Sequence, residues 1–318
     1  MQLAKTVAGI CGILLLFFAG QGRAADTGAC PPDPEPLTPE LFQAARAQAQ
    51  DRGPLWRVSK DGHSSYLYGT LHVGKAQWMA PGPLLAAALR QTDMMGLELD
   101  PLDESMAREM AAGLARRAPG EIPASLHERL RKLWTAACLP GATLGQGPVQ
   151  MQLFTLMFMV GRREGLHAAY GSELMLAMLG RSAGLPVVSL ESASLQLDAL
   201  LGGDGDIDEA QVIDAGLEGL ETDQTRLALL KSVQVWERAD MAELARYPEW
   251  CDCMKTEADR KLMKRLLDDR NPDLARRIAA HHSQGRKLFA AVGTLHMAGP
   301  QGIPALLAGM GYRVERLR

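Results

Sequence analysis

Gly69-Thr70-Leu71-His72 recurs unchanged as Gly293-Thr294-Leu295-His296. Four identical residues carry little alone; their surroundings carry more. Each copy follows a strand-like apolar run, 65–68 for the first and 287–292 for the second. Each precedes a Gly/Pro loop and a small-residue helical segment, Leu84-Leu85-Ala86-Ala87 or Leu306-Leu307-Ala308. A further strand follows in both cases, 94–99 and 312–317. The chain ends thus read as equivalent strand–turn–helix–strand units. They predict a mixed α/β fold whose central sheet is built from these units, with a large helical insertion at about 101–285.

Other elements can be placed around these units. Thr38-Pro39-Glu40 reads as N-cap, first-turn proline and acidic first turn of a helix reaching about Gln50. Residues 55–58 and 65–68 flank Asp61-Gly62, a hairpin signal. Residues 151–160 and 173–179 are helical and apolar on most faces, and such a Met-rich stripe is expected to be core. Residues 185–190 read as a strand leading to Glu191. Thr256 caps a helix expected to reach Arg270, and Asn271-Pro272-Asp273 starts another that ends near Gly285.

Lys5, an uncharged apolar run over 7–20 and the small residues around Ala24 and Ala25 have the order of a secretory signal peptide. The expected divisions are a signal peptide at 1–24, a Pro-rich lead-in and helix at 25–54, and one domain at 55–318. Cleavage removes Lys5 and Arg23, taking the net charge from −3 to −5. It leaves Cys30, Cys138, Cys251 and Cys253. An even count in an exported chain suggests disulfides, and four cysteines allow three pairings. Cys30–Cys138 with Cys251–Cys253 is favoured, because the Pro-rich arm is otherwise untied. A metal site at Cys251-Asp252-Cys253 is the rival, though nothing nearby completes a tetrahedral set. The expected location is the periplasm or the exterior.

Composition narrows the function. The 318 residues are 47% apolar and 22% charged, which is globular. With 34 basic and 37 acidic residues there is no broad cationic face, so nucleic acid is not an expected partner. No later long apolar run would span a membrane after cleavage. There is no Gly-x-Ser-x-Gly elbow, Walker loop, dinucleotide fingerprint or haem-attachment motif.

A histidine at the exit of a strand faces the crevice beyond the sheet edge, where α/β sites lie. His72 and His296, from equivalent units, are therefore expected to converge on one divalent ion: zinc, manganese, iron or cobalt. Glu98, at the end of the 94–99 strand, is expected as the third ligand or as the base that activates water. Glu191 is a second candidate for that part, though it also suits the acidic first turn of a helix. Arg270 suits a substrate carboxylate or a developing oxyanion, or is a plain surface residue. Asn271 is grouped with it as a catalytic candidate, yet it also suits a helix N-cap. Tyr170 is either a donor to substrate or a packing residue. His281-His282 sit where positive charge suits a helix end.

The chain resembles the TraB/GumN-type proteins, related to the Tiki proteases and more distantly to erythromycin-esterase-like and ChaN-like proteins. The resemblance runs from about Leu55 to Arg318. It rests on Tyr66-Leu67-Tyr68-Gly69-Thr70-Leu71-His72, on Leu97-Glu98-Leu99-Asp100, and on Tyr170-Gly171-Ser172-Glu173. It continues through Leu190-Glu191 with Gln196, Arg270-Asn271, Val292-Gly293-Thr294-Leu295-His296 and Gly311-Tyr312. The family carries two Gly-x-x-His motifs, a glutamate after the first and an Arg-Asn element. The resemblance implies a metal-dependent hydrolase, peptidase-like in the Tiki branch, acting on a peptide or a small ester or amide. The alternative is a non-catalytic periplasmic metal- or haem-binding or interaction protein with the same fold.

Overall fold

The computed structural model describes residues 30–117, 121–202, 207–251 and 253–318. The expected signal peptide lies outside the described residues. Helix α1 (Pro39–Ala47) starts as expected, with Thr38 accepting from the Leu41 N–H, and stops short of Gln50. Strands β1 (Leu55–Lys60) and β2 (His63–Thr70) form the hairpin. Asp61 and Gly62 both take positive φ, 50° and 82°, the backbone of a tight two-residue turn that favours glycine. α2 (Pro83–Arg90) and β3 (Met94–Leu97) follow.

The middle of the chain is helical: α3 (Glu104–Ala115), α4 (Ala124–Ala136), α5 (Val149–Met159) and α6 (Ser172–Ser182). Strand β4 (Val187–Ser189) then leads to α7 (Ala193–Leu201), α8 (Glu209–Glu221) and α9 (Gln224–Arg238). Short helices α10 (Met241–Ala245) and α11 (Tyr247–Trp250) precede α12 (Glu257–Leu266) and α13 (Asn271–Ser283). The chain closes with β5 (Leu288–Gly293), α14 (Ile303–Gly309) and β6 (Arg313–Arg316).

The strands form one mixed sheet in the order β4-β3-β5-β2-β1-β6. β2, β5, β3 and β4 are mutually parallel, and β1 runs antiparallel to both β2 and β6. The two repeat-bearing strands are neighbours, with Gly69 beside Val292 and Thr70 beside Gly293. β4 comes from within the middle segment, so that segment supplies an edge strand as well as helices.

Buried parallel strands are apolar on both faces because helices cover both sides. One face of β2, β3 and β5 presents Tyr66, Tyr68, Met95, Leu97 and Phe289 to a core shared with α2, α6 and α9. The other presents Leu67, Met94, Leu288, Ala290 and Val292 to α13 and α14. A separate core joins α4, α5 and α8 around Leu130, Trp134, Leu153, Ile213 and Leu217.

Both expected disulfides are present, Cys30–Cys138 and Cys251–Cys253. The second engages both thiols of the Cys251/Cys253 pair, which rules out the rival metal site there. Among the described residues no helix is long and apolar enough to cross a membrane.

Candidate functional site

The parallel strands end together, and the chemistry-bearing residues leave from those ends. Glu98 directly follows β3 and Glu191 follows β4 by two residues. Their backbones stay paired, with Glu191 N donating to Glu98 O at 3.0 Å. His296 lies in a short helical turn after β5, Thr294–Met297. His72 lies two residues beyond β2 in extended chain. The same tetrapeptide therefore takes two local forms. Gly69 owes its place to crowding: a Cβ there would stand 2.8 Å from Thr294 Oγ1 and from Pro54 Cγ.

Arg270 draws the carboxylates together. Its Nη2 donates to Glu98 Oε1 at 2.5 Å and also to Glu191 Oε2, and its Nε donates to Glu191 Oε1 at 3.0 Å. Nη1 donates to the Leu266 carbonyl at 2.8 Å and lies 3.5 Å from His296 Nε2. The reading of Arg270 as a surface residue is overturned, since its side chain is only 12% exposed. Glu98 is further held by Gln196 Nε2 at 3.0 Å and by the Gly293 N–H at 3.1 Å. Glu191 is not a first-turn helix residue: Ser192 caps α7, and the Glu191 side chain turns to Arg270.

Asn271 also departs from its capping reading. It is the first residue of α13, fully buried, and caps nothing. Its Nδ2 donates to the Gln301 carbonyl at 2.8 Å, which orients the amide, so Oδ1 must accept from His296 Nδ1 at 2.6 Å. That puts the His296 proton on Nδ1 and the lone pair on Nε2, which lies 3.9 Å from Glu98 Oε2. His72 is arranged similarly, with Nδ1 2.8 Å from Glu173 Oε1.

The electrostatics follow from burial and neighbours. Burial and the nearby Arg270 outweigh the pull of Glu98 and lower His296 to about 4, so it is neutral at neutral pH. Burial pushes Glu98 up, but the cationic forms of His296, Arg270 and His72 outweigh it and bring it to about 2. Burial raises Glu191 despite Arg270. Burial opposes the charge on Arg270, and the two carboxylates more than restore it. His72 loses charge preference to desolvation and regains more from Glu173, rising to about 9. Half of its side chain is exposed (51%), and solvent there screens part of that attraction.

The structure thus brings Glu98, Glu191, Arg270, Asn271 and His296 into one bonded cluster. His72 stands at its exposed side, near enough for its charge to act on Glu98 and His296. Tyr170 is a packing residue whose hydroxyl donates to the Glu35 carbonyl at 2.8 Å. His282 is buried away from the cluster rather than placed to meet a helix dipole. Glu173 and Gln196 were legible only as parts of longer matching segments, since nothing local marks them as partners of His72 and Glu98.

Among the described residues no three His, Cys, Asp or Glu side chains gather as a ready ion-holding group. The donor chemistry of His72, His296 and Glu98 nevertheless suits a divalent ion. Each imidazole has Nδ1 fixed by an oxygen and Nε2 left over, the outer-shell arrangement typical of metal-bound histidine.

Among known proteins, the model of the TraB/PrgY/gumN family matches residues 54–316. No curated protein and no solved structure matches the chain.

Proposed function

The chain belongs to the TraB/PrgY/gumN family, and from that membership we propose that it is an exported metal-dependent hydrolase acting on an amide or ester carbonyl. The observation that carries this reading is the pair of oriented histidines beside an ionised glutamate. His72, His296 and Glu98 would hold the ion. Bound there, a divalent cation supplies a Lewis acid and water acidic enough to attack at neutral pH. Glu98, kept as a carboxylate by Arg270 and the Gly293 N–H, takes the proton from that water. Asn271 holds His296 in the tautomer that leaves Nε2 available. Glu191 fixes the guanidinium of Arg270, whose charge stands ready for a developing oxyanion. The expected leader and the long-range disulfide Cys30–Cys138 support export to the periplasm or beyond.

Metal analysis of chelator-free protein, paired with Glu98→Gln, tests the reading. Wild type is expected to carry about one divalent ion and to hydrolyse members of an ester and peptide panel. Glu98→Gln should keep the fold and lose turnover; retained metal makes Glu98 the base, and lost metal makes it a ligand and passes the base role to Glu191. No metal and no turnover after adding zinc, manganese or cobalt would reject the hydrolase reading in favour of a non-catalytic member of the family.

A further inference from the structure

Helix α5 is packed inside out. Its buried positions are Val149, Gln150, Gln152, Leu153 and Leu156. The opposite face carries Met151, Phe154, Thr155 and Phe158 at i, i+3, i+4 and i+7, all only half-buried. Folding alone favours the reverse, with Met and Phe inside and Gln outside. The buried Gln152 is satisfied locally, accepting from the Gly145 N–H at 2.9 Å and donating to the Gly147 carbonyl at 3.3 Å. The expectation that this Met-rich stripe is core is therefore corrected.

The half-buried face adjoins the candidate site at both ends. Phe158 stands edge-on to the His72 ring, with centroids 5.8 Å apart at 87°. Met151 packs on the cluster formed by Met106, Met110, Ala193 and Leu197 of α3 and α7. Leu99, next to Glu98, packs on the same cluster, and α7 carries the Gln196 that holds Glu98. Phe154 lies between Met151 and Phe158 and belongs to none of the core clusters among the described residues.

We propose that the Met151–Phe154–Phe158 face is the wall on which the substrate's apolar group lies, so that the carbonyl attacked at Glu98 and His296 bears a long aliphatic or aromatic substituent. This rests on the hydrolase reading for the identity of the reacting bond. The occupant follows from continuity: the apolar face begins at His72 and ends beside Glu98, so a ligand reaching both must lie along it.

Calorimetric titration of the full mature chain with acetate, butyrate, hexanoate and octanoate, the carboxylate products of such substrates, tests the wall. A buried methylene is worth roughly fourfold in affinity, so octanoate on a half-open wall should bind at least about thirtyfold more tightly than acetate. Phe154→Ser should reduce that ratio to about threefold or less. Leu227→Ser, at a 49% exposed leucine on α9, should leave it unchanged. If Phe154→Ser does not fold, Met151→Gln makes the same measurement. Equal affinities across the series, or a ratio that survives these changes, overturn the proposal. Hydrolysis of p-nitrophenyl acetate and octanoate separates the two readings. Chain-length discrimination in binding without turnover keeps the wall and removes the hydrolase, whereas turnover without discrimination does the opposite.

Discussion

Asn271 shows how one residue changes meaning in three dimensions. Before Pro272 and Asp273 it has the sequence of a cap, yet its amide is spent on His296 and Gln301. Asn271→Ala leaves the buried Nδ1–H of His296 without a partner, which costs about 1–3 kcal/mol. Denaturant unfolding should register that loss. Affinity for the activating ion should drop by about 10- to 100-fold, as for other outer-shell partners of metal-bound histidine. Arg270 carries a second prediction. Removing it strands two buried carboxylates, so Arg270→Met should destabilise by about 3–5 kcal/mol. Adding Glu191→Leu to that variant removes one stranded charge and should recover part of the stability. A double variant no more stable than the single one would show that Glu191 does not depend on Arg270.

At the scale of elements, caps and turns are legible because their causes are local. Thr256 and Asp259 form the reciprocal cap on α12, and Thr38 caps α1. The break between α12 and α13 is not local. Residues 267–270 contain no Gly or Pro, so the pattern reads on as helix to Arg270. The helix ends at Leu266, and Arg270 turns back to the Leu266 carbonyl while its other nitrogens meet carboxylates from β3 and β4. Near its C-terminal end α13 is joined to the hairpin by His282, whose Nδ1 accepts from Ser65 Oγ at 2.8 Å and whose Nε2 donates to the Lys60 carbonyl at 3.1 Å. The His63 ring stacks on it at 3.8 Å, and Tyr312 meets it edge-on. Burial lowers the His282 pKa, so the folded chain refuses a proton that the unfolded chain accepts below about pH 6.5. Stability from this joint is present above that pH and is lost on acidification. The urea midpoint should fall between pH 7.5 and 5.5, and His282→Gln should flatten the fall. An equal fall in the variant would assign it to other groups.

At the scale of the molecule, a site is assembled from positions as distant as 72 and 296 because four parallel strands end at one edge. The tie with the longest reach between helical and N-terminal parts is Cys30–Cys138, which closes a loop of 108 residues. Loop entropy assigns such a crosslink about 4–5 kcal/mol at most, whereas Cys251–Cys253, two residues apart, restricts little of the unfolded chain. Cys30→Ser with Cys138→Ser should therefore lower unfolding stability by several kcal/mol. The corresponding change at 251 and 253 should cost much less. Non-reducing peptide mapping of protein exported by its host checks the pairing; free thiols at these positions would argue against it.

The sequence by itself determined the mixed α/β class, the paired strand–turn–helix–strand units, most caps and turns, and the residues Glu98, Glu191, Arg270, Asn271 and His296 of the cluster. Periodicity, turn chemistry and repetition are local, and they survive reading in one dimension. Only the tertiary structure decided that Arg270 bridges Glu98 and Glu191, that Asn271 orients His296 instead of capping α13, and that β4 joins the sheet from within a helical segment. It also turned the Met-rich face of α5 away from the core. Each of these depends on contacts between residues far apart in the chain, and a buried charge or amide takes whichever partner the fold brings within reach.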